Sequence, residues 1–131
     1  MNDLILDTDV MIDLLRLHPA ATAWLQSLSR FPATSCFTAL ELLGGSRDKR
    51  EYWTVEKFLL KYTILYPSTT DLERSVYRYT PYCLSHGIGR LDLLIACVAT
   101  GHNYTLADAK YKTLLPSARL TSNPALHKIT V

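Results

Sequence analysis

The sequence predicts an α/β fold: a central, mostly parallel sheet of four to five short strands flanked by helices. Two observations carry that expectation. Short apolar or β-branched runs alternate with longer segments of helical periodicity along the chain, as repeated strand–helix units require. Several of those strands also pass into the next helix with almost no connection, beginning with residues 4–15, LILDTDVMIDLL.

In that stretch Leu4, Ile5 and Leu6 form an apolar strand that stops at Asp7 and turns into a helix carrying Val10, Met11, Leu14 and Leu15. A carboxylate at the carboxyl end of a buried parallel strand lies where open α/β sheets place their ligand sites. Asp7 or Thr8 would equally serve as the helix N-cap. His18-Pro19 then marks a turn, with proline suited to an early helical position. Residues 20–28 form a second helix with Trp24, Leu25 and Leu28 on one face, and Pro32 ends it. Residues 33–37 read as a second strand running directly into the helical run TALELL at 38–43, closed by Gly44-Gly45 in the manner of a C-cap.

Residues 49–61 have helical periodicity, Trp53, Val55, Phe58, Leu59 and Tyr62 alternating with basic residues. Residues 63–66 are a third strand ended by Pro67. Ser68-Thr69-Thr70-Asp71 opens a long helix through Leu72, Val76, Tyr79 and Leu84, which Pro81 should kink. Gly87-Ile88-Gly89 is a loop. Residues 90–100, RLDLLIACVAT, are apolar almost all round apart from Asp92, the mark of a buried helix. Gly101 should end it. Residues 104–106 resemble a fourth strand, Asp108 begins a short helix over 109–115, and Leu120-Thr121 with Ile129-Thr130-Val131 suggests a last edge strand.

The chain of 131 residues has the size of one ordinary domain, and no internal repeat, low-complexity segment or linker divides residues 1–131. No apolar run approaches the roughly 20 residues needed to span a bilayer, and the first residues lack the pattern of a signal peptide. Cys36, Cys83 and Cys97 lie far apart among apolar residues, as buried free thiols in a reducing cytosol would. A cytoplasmic location is therefore expected. The formal charge of +2, from 14 basic and 12 acidic residues, is too small to argue for nucleic acid by itself. Its distribution is uneven. Asp3, Asp7, Asp9, Asp13 and Glu41 fall in the first 41 residues, and Arg47, Lys49, Arg50, Lys57 and Lys61 crowd the next twenty.

Asp92 is the acid hardest to explain by structure alone, because an ionised carboxylate on an apolar helix is costly unless paired or bound to metal. A position in the first turn, stabilised by the helix dipole, is the plainer account. Asp7, Glu41, Asp92 and Asp108 share one feature: each lies at or just past a helix start, and three of those helices follow a strand directly. In a parallel sheet such junctions gather at one edge. Acids brought together there repel, and a hard divalent cation such as Mg²⁺ or Mn²⁺ relieves the repulsion. His18, His86, His102 and His127 are isolated and form no competing set.

These residues resemble the blocks of PIN-domain ribonucleases, and among them the VapC-type toxins of toxin–antitoxin pairs. LILDTDVMIDLLR resembles the family's opening strand and helix with its first acid at Asp7. TALELLGGSR resembles the second block, with its acid at Glu41 and a preceding hydroxyl at Thr38, and GIGRLDLLIACVA the third, with Asp92. The fourth block, YTLADAKY, departs from the commoner pattern; it matches the Ala-Asp form, which makes Asp108 the fourth acid with Thr105 nearby. Asp9 stands where relatives often have Asn, either behind the acids or as the cap of the first helix.

The resemblance implies a PIN-like three-layer fold and cleavage of RNA by a water that Mg²⁺ or Mn²⁺ activates, the ion being held by Asp7, Glu41, Asp92 and Asp108. Arg47 and Arg90 are candidates for contact with the RNA backbone. It also implies homodimerisation and a small antitoxin partner. Two rivals fit parts of the sequence. A haloacid-dehalogenase-type phosphatase would use Asp7 as nucleophile and Asp9 as acid/base, but no late acidic pair accompanies Asp92. A PIN-fold protein used only for binding would have lost its acids.

Overall fold

The structure, a computed structural model, describes residues 3–81, 83, 87, 89–107 and 113–114. Its centre is the strand β1 (Leu4–Leu6), which the parallel strands β2 (Ala33–Ser35) and β4 (Thr105–Ala107) flank on either side. Strand β3 (Thr63–Leu65) extends the sheet beyond β2, and β5 (Thr113–Leu114) closes it beyond β4, giving the order β3-β2-β1-β4-β5. Four strands are parallel and β5 is antiparallel.

The helices sort to the two faces because successive strand residues point in opposite directions. Leu6 and Ala107 point into one layer, where α1 (Thr8–Leu15), α2 (Pro19–Ser27), α3 (Cys36–Gly44) and α4 (Lys49–Leu59) bury Val10, Met11, Leu14, Ala21, Leu42, Val55 and Leu59. Their neighbours Ile5 and Leu106 point the other way, against Ile95, Val98 and Ala99 of α6 (Arg90–His102). The result is the three-layer arrangement expected from sequence. The chain leaves β1 toward β2 and β3, then returns to place β4 on the opposite side of β1. A crevice opens outside the carboxyl ends of the strands at such a switch point.

Local capping explains most boundaries. Asp7 caps α1, Ser35 caps α3, and Asp48 caps α4, each carboxylate or hydroxyl accepting a backbone N–H. The helix α5 (Thr69–Arg74) opens with a reciprocal capping box between Ser68 and Asp71. It runs on into a π-helical turn, Ser75–Tyr79. Pro81 has no N–H to give to the preceding turn, and the wider turn just before it is where that lost bond is absorbed.

Several expected boundaries move. The second strand ends at Ser35 rather than residue 37, because Ser35 is the cap and the helix begins at Cys36. Glu41 consequently sits in the second turn of α3, not at its start. Gly101 does not end α6, which runs to His102 with Asn103 in the left-handed conformation as its cap. Thr113 and Leu114 are strand, not helix, pairing with Ala107 and Leu106; the edge of β4 offers a ladder that the local pattern does not show. The edge strand expected over residues 120–131 lies outside the described residues.

Candidate active site

Three elements bring their acids to one cleft of about 620 Å³. The β1–α1 junction contributes Asp7, Thr8 and Asp9, α3 contributes Glu41, and the start of α6 contributes Gly89, Arg90, Leu91 and Asp92. Asp7 is buried, 3% exposed. Its Oδ1 accepts the Thr8 N–H at 2.8 Å, and its own N–H donates to the Ala107 carbonyl at 3.0 Å, which ties the end of β1 to the end of β4. A helix N-terminus is a position that stabilises negative charge.

Glu41 is exposed on α3 and is steadied by one bond: Thr8 Oγ1 donates to Glu41 Oε1 at 2.7 Å. Behind it, Thr8 Oγ1 lies 3.1 Å from Thr38 Oγ1, and Ser35 Oγ donates to Thr38 Oγ1 at 3.2 Å. Thr38 and Ser35 are fully buried. Thr38 thus joins Thr8 to Ser35. Thr8 and Ser35 escaped the sequence reading, where a hydroxyl beside a helix start looks like any cap.

Asp92 is exposed in the first turn of α6, so the burial argument made for it does not hold. The helix is buried from Leu93 onward, through Ile95, Ala96, Cys97, Val98 and Ala99, and its first turn faces the cleft. Asp9, also exposed, lines the same wall in the first turn of α1; Asp7, not Asp9, is the cap. Arg90 lines the cleft. Arg47 does not, and is paired with Glu51 at 3.0 Å on α4. Thr105 is buried at the other end of β4, opposite Leu4, with no hydrogen-bond partner for Oγ1 among the described residues. Asp108 lies outside the described residues.

The donor set suits a hard divalent cation, since carboxylate oxygens are what Mg²⁺ and Mn²⁺ prefer. Among the described residues no three acidic, histidine or cysteine side chains are gathered tightly enough to complete a metal site. The acids line a common cleft without closing on one point.

At the other end of α1 lies a second groove, about 390 Å³ and apolar, between α1, α2 and α4. Leu14, Leu15, Leu25, Phe31, Phe58 and Tyr62 line it, with Lys57 and Lys61 among its walls. No helix among the described residues is long and apolar enough to cross a membrane.

No family sequence model and no curated protein sequence matches the chain. Solved structures do. The VapBC2 complex of Rickettsia felis, bound to a promoter DNA fragment, contains a chain 27% identical, with a TM-score of 0.65 over 79% of this chain and 84% of that one. VapBC-1 of nontypeable Haemophilus influenzae matches at 25% identity and 0.64 over 79% and 83%. A toxin–antitoxin complex of Klebsiella pneumoniae matches at 23% and 0.65 over 79% and 83%. The chain has the PIN-like fold of these VapC-type neighbours. The structural likeness covers 79% of the chain. The acid-lined cleft falls at the carboxyl edge of the sheet, where the fold's own topology opens a crevice.

Proposed function

We propose that this PIN domain is a metal-dependent endoribonuclease acting as the toxin of a toxin–antitoxin pair. The observation that carries the reading is the delivery of Asp7, Glu41 and Asp92, from three separate elements, to a single cleft. Asp7, Glu41 and Asp92, with Asp108 as a fourth acid, would hold Mg²⁺ or Mn²⁺. Such an ion, when bound, supplies an activated water and neutralises charge on the phosphate.

The chain's own residues supply position and charge. The Thr8 N–H holds one oxygen of Asp7 at the base of the cleft, where the helix dipole favours negative charge. Thr8 fixes one oxygen of Glu41 on the facing wall. Asp9 adds negative charge to the cleft, and Arg90 offers a guanidinium to the phosphate backbone of a bound RNA. The apolar groove between α1, α2 and α4 suits the apolar segment of a small antitoxin, and the VapBC neighbours are themselves toxin–antitoxin complexes. A homodimer is part of the same proposal.

The test is cleavage of RNA by the purified protein with Mg²⁺ or Mn²⁺, with EDTA, and in the Asp7→Asn and Asp92→Asn variants. Each variant should lose at least about a hundredfold in rate, a ligand mattering no less than the groups that orient it. Undiminished cleavage in EDTA or in both variants would overturn the proposal. A phosphomonoester substrate run alongside separates it from a phosphatase.

A further inference from the structure

The hydroxyls behind Glu41 form a chain whose direction can be worked out proton by proton. Each serine or threonine hydroxyl has one proton to donate. A carboxylate only accepts, so the Thr8 proton belongs to Glu41 Oε1, 2.7 Å away. Thr8 Oγ1 must then accept from Thr38 Oγ1 at 3.1 Å. Thr38 in turn accepts from Ser35 Oγ at 3.2 Å. Ser35 completes the run by accepting the Thr38 N–H at 3.1 Å, the bond that caps α3. Every proton in the series points toward Glu41, and bonds aligned in this way polarise one another.

We infer that Thr8 is a positioning residue for the carboxylate of Glu41, and that Ser35 and Thr38 orient Thr8 so that its proton has no other destination. The inference rests on the function proposed above only for its consequence in metal binding. Glu41 is exposed on a helix surface and would otherwise sample several rotamers. The chain holds one of its oxygens against the β1–α1 junction and leaves the carboxylate presented to the cleft beside Asp7. Thr8 does this from the first position of α1, while its backbone N–H holds Asp7 Oδ1. One residue therefore sets the placement of two acids, one through its main chain and one through its side chain.

The experiment compares wild type with Thr8→Val, Thr8→Ser, Glu41→Gln and the double variant Thr8→Val/Glu41→Gln. Three readouts are taken: Mn²⁺ affinity by calorimetric titration, cleavage rate, and the Glu41 position in metal-free crystal structures. Thr8→Val should weaken Mn²⁺ binding by about 10-fold or more, the usual effect of removing a group that orients a ligand. Thr8→Ser should restore it. In the Glu41→Gln background the Thr8→Val change should add less than about twofold, because the two act as a unit. The metal-free Thr8→Val structure should show the Glu41 carboxylate displaced. Thr8→Ala, which leaves space for a water at Thr38, serves if Thr8→Val does not fold. Unchanged Mn²⁺ affinity and an unmoved Glu41 in a folded Thr8 variant would overturn the inference. Absence of Mn²⁺ binding or cleavage in the wild type would overturn the proposed function instead, and the displacement of Glu41 would still decide the positioning role.

Discussion

Gly101→Ala should destabilise the domain, although alanine is ordinarily the better helix former. The glycine lies inside α6, and a Cβ built on it would fall 2.6 Å from Cγ and Oδ1 of Asp71 and closer still to Oδ2. The Asp71 carboxylate is not free to swing aside. It is 7% exposed, and its Oδ2 accepts the Ser68 N–H at 2.9 Å as half of the capping box that opens α5. Displacing it forfeits the cap, about 1 kcal/mol. Forcing the two helices apart instead costs about 1–3 kcal/mol as overpacking. Against this stands a gain of about 0.5–1 kcal/mol from replacing a helical glycine, and less in a last turn. The net is a loss of about 1 kcal/mol, or a fall in Tm of roughly 4 °C for a domain of this size. Urea and thermal unfolding would measure it. The mechanism makes a sharper demand on a second background: with Asp71→Ala in place, Gly101→Ala should be neutral or stabilising, since nothing remains to collide with. Equal losses in both backgrounds, or no loss in the wild type, would refute the close-approach account.

Two further outcomes follow from the same packing. Burial raises the Tyr62 phenol to about 12 from its ordinary value near 10. Its neutral form is therefore favoured by the fold, and the stability this contributes is complete below pH 10 and lost as pH rises from 10 toward 12. Denaturant midpoints across that window should fall less steeply in Tyr62→Phe; equal slopes would contradict the assignment. Leu106→Ala should cost about 3 kcal/mol in urea unfolding, because Leu106 is fully buried in β4 against the α6 layer; a loss under about 1 kcal/mol would mean that the layer closes over the gap.

Much of the sheet was legible in the sequence because its strands are short apolar or β-branched runs that soon reach a capping residue or a proline. Leu4–Leu6 before Asp7 and Thr63–Leu65 before Ser68 need no tertiary information to be read. The strand β5 was not legible, since Thr113 and Leu114 follow a local pattern that suits a helix as well and owe their conformation to the ladder of β4. Gly101 was read as a stop for the same reason: a glycine's use in letting another helix approach depends on Asp71, thirty residues away. The acids at 7, 41 and 92 were legible as a set, and they line one cleft. Asp92 is exposed because the burial of α6 begins at Leu93 and its first turn faces the cleft. Thr8 was hidden, having an obvious local role as a helix-start hydroxyl while its partner Glu41 lies 33 residues on.

Cap and ligand, posed as alternatives for Asp7 by its sequence, are compatible in the structure. A carboxylate has about four lone-pair sites, and the capping bond from the Thr8 N–H uses one of them, at Oδ1. The two roles also reinforce each other, since the helix N-terminus that needs an acceptor is the element that makes a buried negative charge tolerable. They differ in what they require of the residue. Capping needs an oxygen, and asparagine provides one about as well as aspartate; holding a cation needs the charge. Asp7→Asn therefore separates the fold of this domain from its chemistry, and a variant that keeps wild-type stability while losing cleavage places the charge, rather than the cap, at the centre of the cleft.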